Sequence, residues 1–396
     1  MFRARFRAST TFVLATLGLD ALGTGLIAPI VPGLVQHLSR LAPGAAAPWV
    51  GAMIAAYAGM QFLLAPLLAE MSDRFGRRPV ILLSVCGLGI DNLLMVFAPN
   101  LWWLFLGRLV AGATSANVAA ATAYLADVST PEQRSRRFGL VGATFGAGFV
   151  IGPALGGLLG AHGLRLPFLA AAALGFLNFV FGLLVLPESL PPEKRRPIRW
   201  ARANPFTLLR QLLRDRTLTR LAVAWSCSWI GLGAVQSSLV LFTRARFGWG
   251  GELNGLLLAG VGLSQAVVEG LLLQPAIRRL GEKRVAIAGY GLGAAGFAVL
   301  SISFAGWMMA PAVALMALGG LATPSVRAMT SGQRDEKHQG EMQGVLAAVE
   351  GFTAIFAPLL TAALFDAAGS HGFPGAPFAL AALCAVAAGL LLRGMR

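Results

Sequence analysis

Residues Leu64–Val80 read LAPLLAEMSDRFGRRPV. The stretch begins apolar, turns abruptly polar at Ser72-Asp73-Arg74-Phe75-Gly76-Arg77-Arg78, and is apolar again from Pro79. Glycine followed by proline punctuates the chain between two apolar runs. The pattern predicts the end of one membrane-crossing helix, a very short basic turn and the start of the next. Such a turn can merely set orientation, or it can gate a transport protein. The rest of the chain has to decide between these.

Only 12% of the 396 residues are charged and 56% are hydrophobic, with a mean hydropathy of +0.71. A soluble domain carries about 25% charge, so lipid has to be the solvent for most of this surface. Crossing a bilayer takes roughly 20 apolar residues per helix. Twelve stretches of that kind recur, at 8–37, 47–71, 79–97, 101–127, 133–160, 165–186, 217–245, 253–277, 284–304, 308–330, 338–366 and 375–393. The expected fold is an all-α polytopic membrane protein with twelve transmembrane helices. No segment between them is long enough for a soluble catalytic domain. The chain has no nucleotide loop, no HExxH and no Ser/His/Asp or Cys/His arrangement, so no enzyme, cofactor or metal is expected.

A net charge of +15 would suggest nucleic acid in a soluble protein. Here the charges fall on one side. With the first residues cytoplasmic, all but five of the 32 Lys and Arg lie inside, the exceptions being Arg40, Arg108, Arg165, Arg244 and Arg246. This asymmetry places both termini in the cytoplasm of a bacterial-type inner membrane. Trp49, Trp102, Trp103, Trp249 and Trp307 fall near outer helix ends, where an aromatic belt belongs. The first apolar run carries Asp20 and Pro29 and is too long for a signal peptide, so it reads as a retained helix. Cys86, Cys227 and Cys384 lie singly on separate helices and read as small core residues rather than a metal site or disulfide framework.

A repeat divides the chain. Gly76-Arg77-Arg78-Pro79-Val80 is echoed by Gly281-Glu282-Lys283-Arg284-Val285, an offset of 205 residues (281 − 76) that also relates Gly139 to Gly344 and Pro153 to Pro358. The expected organisation is two pseudo-symmetric six-helix halves, 1–186 and 217–396, joined by a linker at 187–216. An even number of helices gives a parallel repeat, the plan of secondary transporters that rock two halves about a central site. The linker segment Leu190-Pro191-Pro192-Glu193-Lys194-Arg195-Arg196-Pro197 should be irregular. Pro205–Arg214 reads PFTLLRQLLR and predicts a short interfacial helix on anionic lipid. Nucleic acid is not an expected partner, since no groove-reading motif accompanies these charges.

Several polar residues sit at membrane depth, where a charge is costly unless protonated, paired or wetted. Asp20 is either a proton or cation site or a carboxylate bonded to nearby hydroxyls. Asp91 on helix 3 and Arg108 on helix 4 complete a possible network in the first half. Tyr57, Gln61 and Asn117 are candidates for a substrate cavity, as are Gln236, Gln265, Glu269 and Glu350 in the second half. Glu269 and Glu350 are also candidates for proton coupling, and Arg327 could join them. Asp73, Arg74, Gly76, Arg77 and Arg78, with Asp127 at the end of helix 4, form a candidate inner gate. On helix 5, Gly148, Gly152 and Gly156 recur every four residues, with Pro153 and Gly157 between and beyond them. Such a face suits close helix contact, and with the proline bend it suggests a rigid, kinked seal between the halves.

These residues carry a resemblance that covers the full chain. The sequence resembles the major facilitator superfamily, and within it the twelve-helix drug/proton antiporters. Asp73, Arg74, Gly76, Arg77 and Arg78 match that family's cytoplasmic motif between helices 2 and 3, whose usual first small residue is Ala69 here. Gly107, Arg108 and Gly112 are similar to the helix 4 motif, whose Arg is associated with proton coupling. Gly148, Gly152, Pro153, Gly156 and Gly157 resemble the helix 5 antiporter motif, typical of exporters. The similarity is greatest to the tetracycline/proton antiporters, through Leu19–Ile27, Ser72–Pro79, Asp91 and Arg244-Phe247-Gly248-Trp249. In that group a buried His on helix 8 and an Asp on helix 9 matter for coupling, and here those positions are Gln265 and Gly293. The resemblance therefore implies coupling through Asp20 and Asp91, or a share taken by Glu269 or Glu350.

The expected function is proton-coupled efflux of a small amphipathic, drug-like compound by a monomer in contact with membrane lipids. Uptake by symport or facilitation of a small metabolite is the alternative.

Overall fold

The computed structural model describes residues 2–115, 117–198, 200, 204–209, 216–331 and 336–395. No strand occurs among them. In chain order the helices are α1 (Phe2–Ile27), α2 (Val31–Ser39), α3 (Pro43–Phe75), α4 (Arg77–Phe97), α5 (Leu101–Thr114), α6 (Asn117–Asp127), α7 (Pro131–His162), α8 (Leu166–Val185), α9 (Pro205–Leu209), α10 (Arg216–Phe247), α11 (Gly251–Val267), α12 (Leu273–Leu280), α13 (Glu282–Ser301), α14 (Met309–Gly319), α15 (Ala322–Ser331), α16 (Glu336–Gly369) and α17 (Ala376–Arg393). Among the described residues, eleven helical segments are long and apolar enough to cross a membrane, or twelve if the bent α1–α2 pair is one span. That agrees with the twelve apolar stretches of the sequence.

Four spans are broken, each for a local reason. The first bends by 43° at Ala28-Pro29-Ile30, where Pro29 offers no backbone donor to continue the ladder. Between α5 and α6, the Ser115 hydroxyl donates to Gly112 O at 2.9 Å and the Thr114 hydroxyl to Val110 O at 3.0 Å, bonds that compete with the helix. Gly320 separates α14 from α15. Between α11 and α12, residues Val268–Leu272 form one π-helical turn, an insertion that costs helical geometry and concentrates at functional positions.

Two compact units emerge. One comprises Met1–Leu34, Gly59–Pro205 and Gly251–Ala259, and the other Val35–Ala58, Phe206–Gly250 and Gly260–Arg396. Each therefore borrows part of a span from the other half of the chain. In the first unit, Phe12 and Leu17 of α1 pack with Ile81 and Val85 of α4, Ala121 and Tyr124 of α6, and Leu186. The Thr16 hydroxyl donates to Asn178 Oδ1 at 3.1 Å, joining α1 to α8. In the second unit Leu221, Trp225, Tyr290, Leu346 and Leu392 share a core against which Leu209 of α9 packs. Residues 210–214 of the expected interfacial helix lie outside the described residues.

The repeat also appears in the packing. A Cβ built on Gly25 of α1 would lie 2.9 Å from Gly152 Cα and Pro153 Cδ of α7, within the first unit. In the second unit, a Cβ on Gly233 of α10 would lie 2.8 Å from Ala357 Cβ and 3.2 Å from Pro358 N of α16. Pro153 O abuts Gly255, and Pro358 O lies 2.6 Å from where a Gly51 Cβ would be. The two prolines that sit 205 residues apart thus make equivalent backbone contacts.

Candidate functional site

The most buried charged group lies between α4 and α5. Asp91 has no solvent exposure, and Arg108 Nη2 donates to Asp91 Oδ2 in an ion pair. Gly107, the residue before Arg108, makes room for it: a Cβ there would sit 2.7 Å from Asp91 Oδ1. The Gly107-Arg108 dipeptide therefore both clears space for the carboxylate and neutralises it. Asp91 Oδ1 has no hydrogen-bond partner among the described residues, so it is an open position for a proton while Oδ2 stays on the guanidinium. Asp20 is half-buried on α1 in the same unit.

The basic turn between α3 and α4 forms a polar knot in the first unit. Arg77 Nη1 lies 2.5 Å from Asp73 Oδ1, and its Nε donates to Asp127 Oδ2 at 3.2 Å. Arg77 Nη1 also donates to Ser72 Oγ at 3.2 Å, and Arg78 Nη2 donates to Leu183 O at 2.7 Å. Arg74 instead lies exposed over the Phe75 ring, 5.2 Å from its centroid.

Glu188, which the sequence reading missed, organises the knot. Its carboxylate accepts from Arg77 N at 2.8 Å and Arg78 N at 3.2 Å, capping the start of α4. It also accepts from Ser189 N and Leu190 N at 3.0 Å each. A carboxylate at a helix N-terminus satisfies orphan donors and meets the positive end of the helix dipole. The Ser189 hydroxyl donates to Asp127 Oδ2 at 3.1 Å, so the start of the linker is tied to the same knot. The available signal was a lone acid, Pro187-Glu188-Ser189, directly after an apolar span. Its separation of 111 residues from Arg77 hid the connection.

The second copy of the turn lacks this arrangement. Gly76 has φ 111° and ψ 161°, and Gly281 φ 77° and ψ 157°, both in a region essentially reserved for glycine. Only Gly76 also meets Glu188; a Cβ on Gly281 would meet nothing within 4 Å. Both Gly→Ala substitutions should therefore cost about 1–3 kcal/mol in backbone strain. Gly76→Ala should lower the melting temperature further, because it also displaces the Glu188 cap. A thermal-shift assay of the two purified variants checks this, and equal melting temperatures would refute the cap's contribution.

The helix 5 glycines divide between two partners. Gly148, Gly152 and Gly156 face α1: their Cβ atoms would lie 2.6 Å from Ala21 Cβ, 2.7 Å from Gly25 Cα and directly on Leu26 O. Gly157 faces the start of α11, with Gly251 O at 2.6 Å and Gly255 Cα at 3.0 Å. The face of spacing four thus joins helices of one half, correcting the expectation that it seals against the other. Gly157 and the Pro153 carbonyl, by contrast, approach α11.

In the second unit, Gln265 Nε2 donates to Glu269 Oε1 at 2.6 Å, with Glu269 in the π-helical turn. The Gln265 amide lies flat on Gly320 at the α14–α15 break, its Cδ 2.6 Å from where a Cβ would be. Gly293 packs against Gly319, whose Cβ would lie 2.6 Å from Gly293 Cα. The close approach of α13 and α14 at this point thus runs through two glycines. Glu350 of α16 is half-buried, and Arg327 of α15 is exposed. Of the cluster expected from Glu269, Glu350 and Arg327, Glu269 is joined by Gln265, while Glu350 and Arg327 lie on α16 and α15. Tyr57 and Gln61 are half-buried on α3, Gln236 is exposed on α10, and the Asn117 side chain lies outside the described ones.

The Major Facilitator Superfamily model matches residues 13–272 and 247–395. The chain is 43% identical over 361 residues to the tetracycline resistance protein, class C, of Escherichia coli, covering 90% of each chain. It is 37% identical over 366 residues to the class G protein of Vibrio anguillarum, covering 91% of each. Among solved structures it is similar to the human organic anion transporter MFSD10 (TETRAN), with a TM-score of 0.72, 24% identity, and 98% and 99% of the two chains covered. The apolar spans, the repeated prolines and these matches lead to one conclusion: the chain belongs to the Major Facilitator Superfamily and has its twelve-helix fold.

Proposed function

We propose that this protein is a proton-coupled antiporter that exports an amphipathic, drug-like compound across a bacterial-type inner membrane by alternating access. The observation that carries this reading is the fully buried Asp91, paired with Arg108 through Oδ2 while its Oδ1 stays open. A charge pair at membrane depth is retained where protons or ions pass. Similarity to tetracycline resistance proteins supports export of a drug, and the helix 5 glycines support the outward direction.

In this reading a proton from outside reaches Asp91 or Asp20 and weakens the hold of Arg108. The state that releases substrate outward is then favoured, and release of the proton to the cytoplasm resets the carrier. Glu269 and Glu350 contribute to coupling in the second half. Tyr57, Gln61, Asn117, Gln236, Gln265, Glu269 and Glu350 line the substrate path, whose apolar walls suit an amphipathic ligand. Asp73, Arg74, Gly76, Arg77, Arg78 and Asp127 hold the inner face, with Glu188 positioning the turn. The protein acts as a monomer with both termini in the cytoplasm.

The test is reconstitution in liposomes with an imposed pH gradient, following tetracycline and cationic dyes together with internal pH. Substrate should move against the proton flux and stop when an ionophore collapses the gradient. Movement at an unchanged rate after collapse would falsify antiport.

A further inference from the structure

Four cations meet at one end of the second unit. Arg220 lies near the start of α10, Lys283 and Arg284 in the first turn of α13, and Arg393 at the end of α17. Arg220 Nη1 donates to Gly394 O at 3.2 Å, and Lys283 Nζ donates to Met395 O. Two consecutive carbonyls at the end of α17 therefore hold the starts of α10 and α13 close together. Among the described residues none of the four cations forms an ion pair. The described carboxylate at these three helix ends is Glu282.

Two of these arginines continue an apolar face. On α13 Arg284, Ala288, Gly291, Ala295 and Ala298 are exposed at helical spacing, and on α17 Leu383, Val386, Leu390 and Arg393 are. The opposite sides, Ala286, Tyr290 and Ala294 on α13 and Ala385, Ala388 and Leu392 on α17, are buried in one shared core. Both exposed faces therefore look away from that core, towards lipid. The helices touch where a Cβ on Gly389 would lie 3.6 Å from Tyr290 Cβ. The result is a shallow strip of small side chains on α13 beside the larger ones of α17, with cations across one end.

We propose that this end of α10, α13 and α17 binds one anionic glycerophospholipid, its phosphate among Arg220, Lys283, Arg284 and Arg393 and an acyl chain along the small face of α13. Clustered cations at a membrane surface attract anionic lipid, and a basic recess between helices holds its headgroup. A guanidinium has five donors and an ammonium three, so Arg220 and Lys283 keep donors for a phosphate while they hold α17. The apolar strip running away from the arginines favours a lipid over a soluble phosphate, which has no apolar surface to bury there.

The test is titration of the purified full-length protein, in neutral detergent, with phosphatidylglycerol, zwitterionic phosphatidylcholine or glycerol phosphate. Bound molecules are counted by mass spectrometry of the intact protein. One phosphatidylglycerol per chain should be retained at concentrations where neither of the others is. Arg284→Gln with Arg393→Gln should weaken that binding about 30-fold, since each cation near a membrane surface contributes about 1 kcal/mol and about 1.4 kcal/mol is tenfold. Both side chains are exposed, so this variant should fold. Arg195→Gln with Arg196→Gln removes the same charge from exposed linker positions in the first unit and should leave binding unchanged. Gly291→Leu, where a Cβ meets nothing within 4 Å, should fold and should lower retention by crowding the strip. Equal weakening by the two arginine pairs would make net charge alone responsible and overturn the proposal. Equal retention of phosphatidylcholine or glycerol phosphate, or undiminished retention in Gly291→Leu, would overturn it as well.

Discussion

Asp91→Asn should abolish gradient-driven efflux while leaving the protein folded and inserted. The amide keeps the shape of the side chain beside Gly107, where a Cβ would lie only 2.7 Å from Asp91 Oδ1, but it cannot take up and release a proton. Residual flux should equal that of wild type with the gradient collapsed. Asp91→Ala should behave differently, because it removes not only the counter-ion of the largely buried Arg108 guanidinium but also the side-chain oxygen that accepts from it. Breaking a buried pair on one side costs about 3–5 kcal/mol, so Asp91→Ala should be poorly expressed or melt early. Arg108→Gln in the Asp91→Asn background removes the remaining charge and should recover thermal stability without recovering coupled transport. Wild-type gradient-driven flux in Asp91→Asn would remove this carboxylate from the coupling mechanism.

The second large effect is expected at the α1–α7 contact. Gly152→Val places a branched side chain where Gly25 Cα is 2.7 Å and Leu22 O is 2.8 Å from the first added carbon. Both obstacles are backbone, so no rotamer change relieves them and the helices must separate. Overpacking of this kind costs about 1–3 kcal/mol, sometimes more, and here it also spoils the neighbouring Gly148 and Gly156 contacts. Gly146→Val on the same helix is the control, because a Cβ at Gly146 meets nothing within 4 Å. Transport and detergent-solubilised melting temperature should both fall for Gly152→Val and stay near wild type for Gly146→Val. Equal behaviour of the two variants would refute the α1–α7 backbone contact as the source of the effect.

The contrast between Gly146 and Gly152 shows how far sequence reading reaches. Both are glycines on one apolar helix, and composition cannot tell which one faces a neighbour at backbone distance. The same holds for Gly293. Its place in a resembled motif was legible, but not that α14 had closed onto it through Gly319. Glu269 and Gln265 were legible as a pair one turn apart, because that spacing is a property of the helix itself. Glu350 and Arg327 sit on different helices, α16 and α15, so spacing in the sequence says nothing about the distance between them.

What the sequence determined by itself was the set of spans, the repeat and the family. The reason is that a bilayer makes each span self-sufficient. Backbone groups have to be satisfied within the helix, so length, apolarity, proline and glycine report its existence and ends from local residues alone. What tertiary structure decided was everything that depends on which helix faces which. This includes the Glu188 cap on α4 from 111 residues away, the Asp91–Arg108 pair, and the split of the helix 5 glycines between α1 and α11. These follow from crossing angles and rotation about helix axes, and close packing sets both once many helices are assembled together.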